Sequence, residues 1–235
     1  MTAVQNSSES SKTAFGTQVS RFKRRVSGRL EQGFYSEFRG YGLRRDLSEP
    51  LKKPLARIPI SIRPLALKDI DILLPLEGNL ADDEKKQIRW RRHFHQKVPN
   101  GCYVAVDDRS DTPCYMQWLI GFKDNELLAR FKCFPQIKRS EAILEQAYTI
   151  PTHRGLGIMS AAMAGIAERA SDLAARYVLA FVEEKGAASI KACKRAGFQP
   201  HLLHSRIQIG YGIVVRNTFT GLSNDDQKRL EMPQT

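Results

Sequence analysis

From residue 57 onward the apolar positions switch between a period of two and a period near 3.6, the spacings that separate strands from helices. "RIPISIRPL" is a short β-run ending at Pro64. Two helical patterns follow, "LKDIDILLPLEG" and "DDEKKQIRWRRHFHQK"; the second starts acidic and ends basic, as a helix dipole prefers. "CYVAVDD" and "CYMQWLIGF" read as two strands around the turn "RSDT", and residues 124–141 as a polar excursion. "AILEQAYTI" is a strand, and "GIMSAAMAGIAERASDLAA" a helix with Ile158, Ala162, Ile166 and Leu173 on one stripe. "YVLAFVEE" is a buried strand, "AASIKACKRAG" a helix capped by Gly197, and "SRIQIGYGIVVRN" one closing strand. The order is β, α, α, three strands, then αβαβ, which predicts an α/β or α+β domain around one central sheet.

The chain before residue 57 is patterned differently. Residues 1–18 are rich in Ser and Thr and read as disordered. "VSRFKRRVSGRL" places Val19, Phe22, Val26 and Leu30 at helical spacing opposite Arg and Lys, an amphipathic helix that docks on the domain or lies on a membrane surface. "GFYSEFRGYGLRRDLSEPLKKP" mixes Gly, Pro and charge, and is expected to be an irregular extension packed on the core. The expected division is therefore a basic N-terminal extension at 1–56, a domain at 57–220 and a polar tail at 221–235.

Composition narrows the class. At 235 residues, 42% apolar and 9% aromatic, the chain can bury a sizeable core. It has no apolar run long enough to span a bilayer and no apolar segment near the N-terminus. The four cysteines form no C-x-x-C pair and the five histidines no H-E-x-x-H, so no metal is expected and a cytoplasmic location fits. The net charge is +12, and residues 1–57 hold twelve Lys/Arg against five Asp/Glu. That excess suits an anionic partner: a membrane surface, to which the chain would be peripheral, an acidic carrier protein or a phosphorylated small molecule. No nucleic-acid motif accompanies the charge, and specific nucleic-acid binding is not expected.

The chemistry concentrates in "AYTIPTHRGLGIMSAAMAGIAERA", residues 147–170, where a strand meets a Gly-rich turn and then a helix. A helix N-terminus offers unpaired N–H groups and a positive dipole end, and small residues let an anion approach. The turn lacks the G-K-[ST] of a P-loop. A dinucleotide fingerprint would use Gly155, Gly157 and then Ser160 in place of the third glycine, with Glu183 or Glu184 on the ribose. Too little chain follows the turn to complete that doubly wound sheet, so this Rossmann-like reading ranks last.

"TIPTHRGLGIMSAAM" resembles the acyl-CoA-binding signature of the GNAT superfamily of N-acetyltransferases, a strand, then [QR]-x-x-G-x-[GA], then a helix. Arg154 and Gly157 match, Pro151 sits where the family often places it, and Met159 departs from the final position. "FVEEKGAASIKACKRAGF" is similar to the later family pattern N-x-x-S-x-x-x-Y-x-x-x-G-F. Ser189, Gly197 and Phe198 match, with Gly186 and Cys193 replacing Asn and Tyr. The resemblance covers roughly residues 57–215.

It implies a single mixed sheet, mostly antiparallel, flanked by helices and with splayed central strands. It also implies acetyl-CoA as the acyl donor. Ala147, Tyr148 and Thr149 would run along the pantetheine arm, and Arg154, Gly155, Leu156, Gly157, Ile158, Met159 and Ser160 would surround the pyrophosphate. The implied activity is acetyl transfer to a primary amine of a small molecule, anionic if the cluster Arg89, Arg91, Arg92, His93, His95 and Lys97 binds it. Direct attack requires a base. Glu145, a lone acid in an apolar strand with Glu141 just before it, is the candidate, placed by period two on the side of Ile143 and Ala147. Cys193 stands where an acid would reprotonate the thiolate. Trp90, Phe94, Tyr115 and Trp118 either line an acceptor pocket or pack the core. Transfer of a longer acyl chain from acyl-CoA or a carrier protein, and a non-catalytic acyl-CoA-binding module, are the alternatives.

Overall fold

A computed structural model describes residues 35–75, 80–210 and 214–231. The expected amphipathic helix at 19–30 and the disordered stretch at 1–18 lie outside the described residues. Among the described residues eight strands form one sheet: β1 (Tyr35–Asp46), β2 (Ile60–Pro64), β3 (Cys102–Asp107), β4 (Thr112–Gly121), β5 (Glu141–Thr149), β6 (Tyr177–Glu183), β7 (Gln199–Ile209) and β8 (Val214–Gly221). Six α-helices accompany them: α1 (Ile70–Leu73), α2 (Asp82–Lys97), α3 (Asn125–Ala129), α4 (Ile158–Glu168), α5 (Ala187–Arg195) and α6 (Asn224–Glu231). The strand order is β2-β3-β4-β5-β6-β1-β7-β8. The pairs β2–β3, β3–β4, β4–β5 and β1–β6 are antiparallel, and β5–β6 is parallel. A doubly wound dinucleotide-binding sheet would be parallel, so that reading is overturned.

Contacts divide the described residues into two compact units, one within 39–204 and 219–231, the other made of 35–38 with 205–210 and 214–218. In the smaller one, Ser36 donates to Gln208 Oε1 at 3.2 Å and Arg206 lies over the Phe38 ring.

In the larger unit the sheet carries apolar side chains on both faces. β4 is buried along nearly its whole length, the signature of a central strand covered on two sides. Leu119, Leu144, Val178 and Ala180 face one cluster with Ile158, Ala162 and Ile166 of α4 and Cys193 of α5. Met116, Trp118, Ile120, Ile143 and Leu179 face the other with Leu73 of α1 and Ile88 and Phe94 of α2. The α4 stripe holds through Ile166, but the helix ends at Glu168, and Leu173 lies exposed on a following 3-10 turn. At the end of α5, Gly197 adopts φ +87°, and Phe198 N–H reaches back to the Cys193 carbonyl at 3.0 Å, a glycine-terminated helix as expected.

Four segments differ from their sequence patterns. Residues 35–46, expected as irregular extension, are β1, inserted between β6 and β7. Tyr41 and Leu43 are its buried apolar residues, and Arg45 reaches the Ala164 carbonyl of α4 at 3.0 Å. The closing strand is two strands, β7 and β8, and residues 224–231 of the expected tail are helical. The excursion at 124–141 is anchored by apolar groups: Phe131, Phe134 and Ile137 pack on the α2 side, and Asn125 pins Ile137 through both backbone groups.

Gly42 sits directly opposite Phe181 in the β1–β6 ladder. A Cβ there would lie 2.5 Å from Leu202 Cδ1 and 2.9 Å from Phe181 Cε1. Alanine in a strand ordinarily gains over glycine through the unfolded chain. Gly42→Ala is instead predicted to destabilise by about 1–3 kcal/mol through overpacking, measured as a lower urea midpoint. Adding Leu202→Ala should recover part of that loss.

Candidate active site

Parallel pairing between β5 and β6 runs from Glu141↔Tyr177 to Leu144↔Ala180 and stops there. β6 continues to pair with β1 through Glu183, while β5 keeps its ladder with β4. The two central strands therefore part at Glu145 and Phe181, leaving the β6-facing edge of residues 145–149 open.

The same place holds a bulge. Trp118 pairs with Glu145 and Met116 with Tyr148, so Gln146 and Ala147 together oppose Gln117. Gln146 carries φ +59°, a left-handed conformation costly for a residue with a Cβ. Up to the bulge the strand alternates normally, with Ile143 on the α2 side and Leu144 on the α4 side. After it, Ala147 packs with the α4 cluster and Tyr148 with the α2 cluster. Glu145 thus shares a face with Ile143 and Trp118, as period two predicts. Ala147 does not join them, because the extra residue inverts the alternation.

Glu145 is 8% exposed, and its Oε1 is buried without a hydrogen-bond partner. Burial raises its pKa to about 8, opposed only by the Gln146 N–H. Glu141 is occupied structurally, accepting the Lys138 N–H at 2.8 Å.

Beyond β5 the chain makes a 3-10 turn at Pro151–His153 and enters α4 through Gly155 (φ +79°) and Gly157 (φ +74°). Gly157 is the N-cap, and no side chain caps the helix from there, so the N–H groups of Ile158, Met159 and Ser160 remain for an anion. A Cβ on Gly155 would meet nothing within 4 Å. Met159, the departure from the family pattern, turns its side chain into the α4 cluster and leaves only backbone at the helix entrance. Arg57 N–H bonds the Leu156 carbonyl at 2.8 Å, and the Leu55 carbonyl would lie 3.4 Å from a Cβ on Gly157. The segment before β2 therefore walls one side of this loop. These features fit a CoA pyrophosphate, and the open β5 edge fits a pantetheine arm.

Arg154 is engaged by the protein itself. It pairs with Glu84 at the start of α2, donates to the Thr149 carbonyl at 3.1 Å, and faces the Tyr148 ring. Tyr148 donates its hydroxyl to Glu84 at 3.1 Å, so its side chain belongs to α2 and only its backbone follows the edge. His153 Nε2 lies 3.3 Å from Asp107 Oδ2, tying the turn to the end of β3, while Arg109 holds the Asp107 carboxyl well below the usual range.

Cys193 is fully buried in the α4 cluster, and burial raises its thiol to about 12. An ordinary thiol titrates near ~8.5, so passing its proton to a thiolate would run uphill by roughly 5 kcal/mol. The enclosure does not suit Cys193 as the acid. The basic cluster on α2 also disperses. Arg91 turns inward, Arg92 bonds the Leu74 carbonyl at 2.6 Å, and Trp90 stands exposed beside His93 and Phe131. Phe94, Tyr115 and Trp118 are fully buried core residues. Sequence reasoning missed Glu84, Gln146 and the inward course of Arg91, because nothing in a strand lacking glycine announces a bulge. No group of potential metal ligands occurs among the described residues, and no helix among them is long and apolar enough to cross a membrane.

Residues 79–198 match the model of the acetyltransferase (GNAT) family. No curated protein matches the chain by sequence. Among solved structures, a GCN5-related glucosamine N-acetyltransferase region of a fungal multi-domain GH3 β-N-acetylglucosaminidase superposes with TM-score 0.52 at 12% identity, covering 77% of this chain and 22% of that one. A GNAT acetyltransferase from Colwellia psychrerythraea gives 0.48 at 13% identity, covering 80% and 57%. A GCN5-related N-acetyltransferase from Sphaerobacter thermophilus gives 0.46 at 16%, covering 83% and 56%. The chain spans between 55% and 58% of the length of the first five such structures. With a family match over about half its length, joined to a splayed mixed sheet and a glycine-entered helix, the chain belongs to the GNAT acetyltransferase family.

Proposed function

We propose that the protein transfers the acetyl group of acetyl-CoA to the primary amine of a small molecule by direct attack. The observation that carries this reading is Glu145: a buried carboxyl with an unpartnered oxygen, at the first residue beyond the last β5–β6 pair. Such a group is costly to keep unless a ligand or proton completes it. The donor's diphosphate would rest on the N–H groups of Ile158, Met159 and Ser160, with its arm along the edge of residues 147–149.

Direct transfer requires a neutral amine. As nitrogen bonds the acyl carbon and the C–S bond breaks, the amine loses a proton, and Glu145 receives it. A carboxyl held near 8 is matched to a thiol near ~8.5. The same group can therefore return the proton to the leaving sulfur, a task for which Cys193 is ill placed.

The assay is release of free thiol from acetyl-CoA over a panel of primary amines. Glu145 is protonated below its pKa, so the rate should rise with pH, with a midpoint near 8. Glu145→Gln should lower kcat by about 10²–10⁴-fold and abolish that rise; an unchanged profile would remove Glu145 as the base. The donor site has its own test in acetyl-CoA thermal shift. Gly155→Ala and Gly155→Glu carry the same backbone penalty at φ +79°. The glutamate variant alone should lose the stabilisation by acetyl-CoA, and equal behaviour of the two would misplace the pyrophosphate.

A further inference from the structure

Arg91 is the inward-facing member of the basic run on α2, and it is 9% exposed. Among the described residues no carboxylate lies within ion-pair distance of it. Its Nη2 donates to the Ala147 carbonyl at 2.9 Å, its Nε to the Gln146 carbonyl at 3.4 Å and its Nη1 to Gln87 Oε1 at 3.3 Å. The guanidinium also lies 4.8 Å from the Tyr148 ring centroid. Burial lowers its pKa to about 10.

A regular strand points successive carbonyls to opposite sides. Here two in a row, from the two bulge residues, point at one guanidinium. A planar fork of donors can satisfy both, which the point charge of a lysine cannot do. Gln146 meanwhile holds a left-handed φ that surrounding structure must enforce. A buried cation without a counter-ion is expensive, and two of this one's donors go to a distortion of β5 that begins one residue past Glu145.

We propose that Arg91 is a positioning residue for acyl transfer: by clamping the Gln146 and Ala147 carbonyls it holds the bulge that keeps β5 apart from β6 and keeps the Glu145 carboxyl dry. This role rests on the acyltransferase reading of the site. The titratable groups facing this stretch are Arg91, Glu84 and His95 of α2, Tyr115 of β4, Tyr148 of β5 itself and Arg154 of the following turn; Trp118, directly opposite Glu145, carries none. None of the charges on α2 contributes resolvably to the raised Glu145 pKa, which comes from burial. Loss of the clamp should therefore act on Glu145 by admitting water.

The test compares wild type with Arg91→Lys, and with Arg91→Lys/Gln146→Gly, in which glycine adopts the positive φ without help. Glu145 is followed by ¹³C NMR titration of its carboxyl, assigned with Glu145→Gln, a readout independent of turnover. In Arg91→Lys its midpoint should fall from about 8 toward the ordinary carboxylate range. The kcat per folded molecule should drop at least ~10-fold, CoA affinity should stay within about twofold, and the double variant should regain part of kcat. An unmoved Glu145 midpoint in Arg91→Lys, or in Arg91→Gln should the lysine variant not fold, would overturn the proposal. So would loss of activity that merely tracks loss of folded protein. A wild type that releases no thiol with any amine would sink the acyltransferase reading instead, and the titration would still decide whether Arg91 keeps Glu145 dry.

Discussion

Two adjacent strands of a sheet gain by pairing along their full length, and here they give that up. β5 and β6 hold four residue pairs, then separate for the remainder of both strands. Unpaired backbone buried without a partner is penalised, so an open edge inside a sheet persists only where something else holds it. On one flank β4 continues its ladder with β5 across the bulge, and on the other β1 continues its ladder with β6. β1 is thus more than an appendage: without it the far half of β6 would have no partner on either side. The helix entrance at Gly157 then lies at the end of the same strand whose edge is open, and one extended ligand can use both.

The electrostatics around the gap follow from the same geometry. Arg91 and Glu145 are both buried, have opposite formal charge, and act at neighbouring positions of β5, yet they do not pair. The guanidinium is spent on the bulge carbonyls, and the carboxyl, desolvated, keeps its proton at neutral pH. An ion pair between them would fix Glu145 as an ionised structural carboxylate, poorly suited to exchanging a proton near neutrality. Further out, Glu84 gathers Tyr148 and Arg154, linking the start of α2 to the loop that precedes α4.

Much of this was legible in the order of residues. The proline and glycines of 151–157 mark a strand-to-helix turn because each has a distinct backbone consequence, and both glycines take a positive φ. Glu145 stood out because an acid in an apolar run is costly. β1 was hidden: "YSEFRGYGLRRD" dilutes two inward apolar residues with glycine and arginine, and its burial comes from long-range partners. The bulge was hidden too, since its positive φ falls on Gln146, a residue with no local preference for it. Arg91 could not be told from its exposed neighbours by charge alone. Leu173 shows the limit of periodicity, which continued one turn past the point where α4 changes pitch.

Hydrogen exchange of the backbone amides, read by mass spectrometry with and without acetyl-CoA, tests most directly whether the gap is the acyl-CoA site. Peptides covering 145–149 and 155–160 should exchange readily in the free protein and become protected together when the ligand is added. The fully paired stretch of β5 at 141–144 should remain slow in both states. Protection confined to other parts of the chain, or none at either of those two segments while acetyl-CoA is bound, would contradict the account.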